Sequence, residues 1–175
     1  RGRNRLGQGP LKRLEAVPSS HSCFTRYLDA AITDSIAETL TADHRRCDGL
    51  LALVESVIDG GDWDLVASRV HDLGRAMEDH FRFEEETLFP PLEAAAPMAS
   101  GPTGVMRGEH QQMRRLLAEL TEAARARDAG ECLGLLETLH LVVQQHNAKE
   151  EAILYPMTDQ ALGAVAAGLA ARFPG

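Results

Sequence analysis

The stretch HFRFEEETLFP, residues 80–90, returns 66 residues later as HNAKEEAILYP, residues 146–156. At the same offset DHRRCDGLL (43–51) lies over EHQQMRRLL (109–117). His44 thus matches His110, His80 matches His146, Glu84 matches Glu150 and Pro90 matches Pro156. A repeat at one fixed offset marks a duplicated structural unit. Apolar residues around it recur at helical spacing, beginning with Ile36, Leu40, Leu50, Leu51 and Val54. Working outward, the pattern predicts long helices over 33–58, 62–88, 104–127 and 131–154, and a short one over 159–172. Gly60-Gly61 and Asp128-Ala129-Gly130 break the pattern. Asp62 or Asp64 is the natural N-cap of the second helix. Pro90-Pro91 should end or kink that helix, and Pro156 should end the fourth. PPLEAAAPMASGPTG (90–104) reads as the one long loop. Short connections within each half give two helical hairpins, hence an all-α, antiparallel up-down-up-down four-helix bundle. A less regular all-α domain is the alternative.

Length and composition agree with this reading. A chain of 175 residues suits one domain, and 44% apolar residues supply a core. Only 5% are aromatic, while Ala, Leu and Glu abound, which favours helix over sheet. No apolar run approaches the roughly 18 residues a membrane span needs. The basic first residues lack the apolar stretch of a secretory signal. Net charge is -8 but uneven: residues 1–33 carry six Lys/Arg against two Asp/Glu, the remainder twelve against twenty-four. Residues 1–32 therefore read as a flexible basic arm, and 33–175 as the bundle. An acidic body is a poor nucleic-acid binder, so neither nucleic acid nor membrane is expected as a partner. Three cysteines, Cys23, Cys47 and Cys132, without a CxxC pair point to free thiols in a reducing compartment such as the cytoplasm.

The repeated residues are ionisable, and a structural duplication needs only a repeated apolar stripe. Buried ionisable side chains need partners. His80 and Glu84 lie four apart and project from one helix face, as do His146 and Glu150. His44 and His110 stand alone on the other two helices. At roughly 1.5 Å rise per residue, His44 and His80 sit about 24 and 28 Å from their shared turn. His110 and His146 sit about 27 and 24 Å from theirs. All six groups thus fall at one level of the bundle. Four imidazoles and two carboxylates suit a pair of borderline cations, with the carboxylates free to bridge. Glu in place of Cys argues against a structural zinc site. Iron is the leading reading, with manganese or zinc as alternatives.

The pattern H…HxxxE…H…HxxxE, with its LFP and LYP endings, resembles the hemerythrin-like (HHE cation-binding) family over about residues 34–157. The resemblance implies a four-helix bundle around a non-haem di-iron centre with an oxo, hydroxo or water ligand. It implies that His44 and His80 hold one iron, that His110 and His146 hold the other, and that Glu84 and Glu150 bridge them. Oxygen-carrying members are similar but have HxxxH on the third helix. Here Arg114 follows His110 by four, and Arg has no lone pair to donate. The set of four His and two Glu looks closer to bacterial di-iron proteins of iron-centre repair. Oxygen, nitric oxide or peroxide are the implied small ligands. A di-iron redox enzyme removing peroxide and a purely structural helical module are the alternatives.

The other candidates read as ordinary. His71 is nine residues before His80, half a turn out of phase, and His140 is about 120° from His146. His21 lies in the arm. Cys47, three after His44, reads as a small buried hydrophobe at the site edge, with a redox role as its alternative. Tyr155 reads as core packing, with a ligand or electron-relay role as its alternative; its repeat partner, Phe89, cannot ligate. Asp43 and Glu109 precede the lone histidines; either could accept a hydrogen bond behind the ligands or simply be solvated.

Overall fold

The computed structural model describes residues 35–174, and these are helical with short connections. The basic arm expected over 1–32, with His21 and Cys23, lies outside the described residues. Helix α1 spans Ile36–Ile58 and begins at a capping box. The Ser35 hydroxyl accepts from the Glu38 N–H, and the Glu38 carboxylate accepts from the Ser35 N–H. The helix stops at Gly60-Gly61, where Gly61 takes φ 69°. Helix α2, Trp63–Phe83, starts at Asp62, whose side chain accepts from the Leu65 N–H. Helix α4, Ser100–Ala126, ends with Arg127 in the left-handed conformation. Asp128 then caps α5, Ala129–Lys149, by accepting from the Glu131 N–H.

Three boundaries differ from the sequence reading. Pro90 and Pro156 end neither helix. Each follows a π turn, Glu84–Leu88 and Glu150–Leu154, after which the chain continues as α3 (Phe89–Ala95) and α6 (Tyr155–Leu162). A proline ring clashes with the carbonyl four residues back in an α-helix. Widening the preceding turn removes that clash and lets the helix go on. Secondly, the stretch expected as a loop over 90–104 is mostly helical. It comprises all but the first residue of α3, a 3-10 turn at Pro97–Ala99 and the first turn of α4. Its prolines occupy first-turn positions, where no N–H is needed, and alanines fill the rest. Thirdly, the short final helix is two: α6, and α7 over Ala164–Ala170, broken at Gly163 with φ 51°.

The four long helices pack as a helical bundle, each against two of the others in the order α1, α2, α4, α5 and back to α1. The core is in two parts. One holds Leu51, Val54, Leu73, Met113, Leu120 and Leu139. The other holds Ile36, Leu40, Leu88, Phe89, Leu92 and Tyr155. Along each long helix the change from one part to the other falls at a histidine of the repeat: His44, His80, His110 or His146. The site is therefore a polar layer between two apolar clusters. Among the described residues no helix is long and apolar enough to cross a membrane.

Candidate metal centre

The six candidate donors, His44, His80, Glu84, His110, His146 and Glu150, are all buried, and they meet in that layer. Donor atoms of Glu84, His110, His146 and Glu150 lie within 4.8 Å of one another, as do those of His44, His80 and Glu150. Glu150 belongs to both groups. Glu84 also faces both, with Oε2 3.2 Å from His110 Nε2 and 3.6 Å from His80 Nε2.

Each imidazole is fixed from behind by a carboxylate. His80 Nδ1–H donates to Asp43 Oδ2 at 2.8 Å, and His146 Nδ1–H to Glu109 Oε2 at 2.9 Å. Across the bundle, His110 Nδ1–H donates to Glu85 Oε1 and His44 Nδ1–H to Glu151 Oε1, both at 2.8 Å. A carboxylate can only accept, so the proton sits on Nδ1 and Nε2 faces the centre. The outer pairs obey the offset of the repeat: Asp43 matches Glu109, and Glu85 matches Glu151. A carboxylate behind each histidine is the arrangement that orients metal-binding imidazoles and raises their basicity. Cations in turn hold three of these carboxylates. Arg46 pairs with Asp43, Arg114 with Glu85, and Lys149 with Glu109. Burial by itself raises the pKa of each of these three carboxyls toward neutrality, but their partners outweigh it and hold each below its usual range.

At the centre the donors face each other with too few protons to join them. Glu84 Oε2 and Glu150 Oε1 are buried and lack a hydrogen-bond partner. Yet His110 Nε2 is 3.2 Å from the first, and His146 Nε2 is 3.1 Å from the second. His110 Nε2 and His146 Nε2 are themselves 3.2 Å apart. Lone pairs at these separations call for positive charge between them, either as protons or as cations. Burial lowers the His146 pKa, but the Glu150 carboxylate outweighs it and pushes the group up to about 9. His44 moves the same way against burial, through Glu150 and Glu151. Burial raises the pKa of Glu150, but the neighbouring imidazoles outweigh it and hold the group well below the carboxylate range. The donor set thus fits a cation pair: six inward donors, two of them carboxylate oxygens otherwise left bare.

The sequence reading does not include Glu85 and Glu151. The signal that marks them is the Glu-Glu dipeptide duplicated at the offset of the repeat. Tyr155, for which core packing is the leading sequence reading and a ligand or relay role the alternative, is fully buried and also brings its hydroxyl to the centre. The oxygen lies 2.8 Å from Glu84 Oε1 and 3.0 Å from Glu150 Oε2, to which it donates. It is also 3.0 Å from His44 Nε2 and 3.4 Å from His80 Nε2. The π turn explains this placement. At α-helical pitch a residue five after Glu150 points elsewhere, whereas a wider turn stacks it beneath Glu150.

The remaining candidates fall where phase puts them. His71 and His140 are exposed. Cys47 is buried, and burial, with Asp43 beside it, pushes its thiol up to about 12, so it stays a thiol. Arg114, in the place of a fifth histidine, bonds Glu78 and Glu85 and lies 5.2 Å above the Phe81 ring. A cavity of about 20 Å³ borders the centre, lined by His44, His80 and His146 with Cys47, Met77 and Val143 among its walls.

Comparison with curated proteins and with solved structures finds no match. The hemerythrin HHE cation-binding domain does match, over residues 35–158, from the cap of α1 to the first turn of α6. That span contains every residue of the polar layer, and the chain belongs to the hemerythrin HHE cation-binding family.

Proposed function

We propose that this protein binds two iron ions in the polar layer and uses them in iron handling or repair, or to bind or sense oxygen or nitric oxide. The carrying observation is the convergence of four inward Nε2 atoms on two buried glutamates with bare oxygens. In this reading His44 and His80 would hold one ion, His110 and His146 the other, and Glu84 and Glu150 would serve both. The four long helices alternate in direction, which the tight turns at Gly60-Gly61 and Arg127-Asp128 support. Bound iron would supply a redox-active Lewis acid with open positions for a small ligand. The chain's own residues do the rest. Asp43, Glu85, Glu109 and Glu151 keep each imidazole aimed inward. Leu40, Phe89, Met113 and Val143, on either side of the layer, keep bulk water out. The cavity has room for one molecule the size of water or a diatomic gas. Buried, reduced cysteines suit a reducing compartment such as the cytoplasm.

The experiment is expression with ample iron, followed by metal counting and an optical spectrum. Near two irons per chain is the expected result; zinc, or no metal, refutes the proposal. Adding oxygen, nitric oxide and peroxide separately to the reduced protein then distinguishes binding from turnover. Peroxide consumed no faster than by free iron rules out a peroxide-removing enzyme.

A further inference from the structure

The repeat makes the two halves of the centre nearly equal, and one position breaks the equality. Phe89 and Tyr155 match at the offset of the repeat. Each closes its π turn by donating its N–H to the carbonyl of the site glutamate, Glu84 or Glu150. Both are fully buried. The Phe89 ring lies nearly parallel to that of His110, with centroids 6.2 Å apart, and brings only carbon to that half. Tyr155 brings an oxygen to the half made by His44 and His80.

That oxygen has no hydrogen-bond partner among the described residues except His44, His80, Glu84 and Glu150. A buried hydroxyl needs a partner, and every partner here is a donor atom of the centre. It has lone pairs of its own and sits amid the atoms that would surround a cation. The inequality continues outward. Glu151, behind His44, is 40% exposed and has no cation against it among the described residues, unlike the carboxylates behind the other three histidines.

We propose that Tyr155 is an additional oxygen donor to the cation held by His44 and His80, so that the two cation positions are chemically unequal. This rests on the reading of the centre as a cation pair. Coordination through the phenol oxygen forms one metal–oxygen bond and releases the hydroxyl proton to solvent; no electron is transferred. An anionic oxygen donor favours the more highly charged ion, so ferric iron is held at this position. The half that holds Phe89 keeps its further positions free.

The test loads the full chain with ferrous iron without air, oxidises it with air, and records iron content, the visible spectrum and the resonance Raman spectrum. The wild type should hold two irons and show a phenolate-to-iron charge-transfer band. The Raman ring modes of that band should shift when the protein is made with ring-deuterated tyrosine. Y155F should lose the band while iron is still bound. The only other tyrosine is Tyr27, and Y27F should keep the band. Two irons without such a band in the wild type overturn the role of Tyr155 and leave the cation pair standing. A band lost in Y27F also overturns it. No iron uptake overturns both. Should Y155F fail to fold, the labelled wild-type spectrum and Y27F decide between these outcomes.

Discussion

Asp43 shows how much of this centre depends on residues that would never touch a metal. It accepts from His80 at 2.8 Å and is held in turn by Arg46 at 2.6 Å. Glu151 performs the same service for His44 from a half-exposed position with no cation beside it among the described residues. Substitutions behind metal-binding histidines typically cost 10–100-fold in affinity. D43N should therefore weaken iron binding by about 10–100-fold, and E151Q by less, as read by competition with a chelator. Equal losses would mean that the ion pair with Arg46 contributes nothing. The histidines also give the cation-free protein a defined response to pH. His146 is raised from 6.5 to about 9 because the Glu150 carboxylate outweighs burial. A group whose pKa is raised by folding stabilises the fold fully below its unfolded pKa, and that contribution is lost as pH climbs through the folded value. Denaturant unfolding of the cation-free protein should thus show a loss of about 1–3 kcal/mol between pH 6.5 and 9. Bound cations replace those protons, so the loaded protein should show little of this slope.

The π turns are the elements on which the geometry turns. Each begins at a site glutamate and ends two residues before a proline: Glu84 and Pro90, Glu150 and Pro156. The extra residue per turn does two things. It frees the carbonyl that the proline ring would strike. It also swings the residue before the proline inward, which carries Phe89 into the core and Tyr155 to the centre. Ala152 is exposed and lies within the second turn. Deleting it would restore α-helical pitch and rotate Leu154, Tyr155 and Thr158, all buried, by about 100°. The expected result is a loss of at least about 3 kcal/mol, from large side chains leaving the core, together with loss of iron. Replacing the exposed Pro156 by Ala should cost far less, because it removes no contact of the core. A second element-level tie is Asp159 of α6, which accepts from the N–H groups of Ile36 and Ala37 at the start of α1. D159A should cost about 1–2 kcal/mol in denaturant unfolding, the size of a lost N-cap.

At the scale of the molecule, the duplication decided what could be read in advance. The helical class and the level at which His44, His80, His110 and His146 meet follow from spacing alone, because apolar period and rise per residue are local properties. Glu85, Glu151 and Tyr155 were harder. Their placement depends on contacts across the bundle and on a helix that departs from α-helical pitch, and neither leaves a periodic trace. The prolines misled for a related reason. Pro90 and Pro156 are compatible with helix once the turn before them widens, and Pro97 and Pro102 once each sits in a first turn. The whole-molecule consequence is a bundle with a charged layer between two apolar clusters. The clusters are each continuous, so the cation-free protein should fold; the layer between them is its weak plane. Cations that bind the folded chain and not the unfolded one add RT ln(1 + [L]/Kd), about 2.7 kcal/mol for a site at a free concentration of 100 Kd. For a chain of this length each kcal/mol moves Tm by roughly 2–4 °C. Loading with iron should therefore raise Tm by at least about 5 °C, and a chelator should reverse the gain without loss of helical circular dichroism at 25 °C. The HxxxE pairs survive as sequence neighbours in the unfolded chain and bind cations weakly there, which trims the gain but leaves its sign. An unchanged Tm on loading would mean that the folded chain holds no cation, and the imidazoles of the layer would then be satisfied by protons alone.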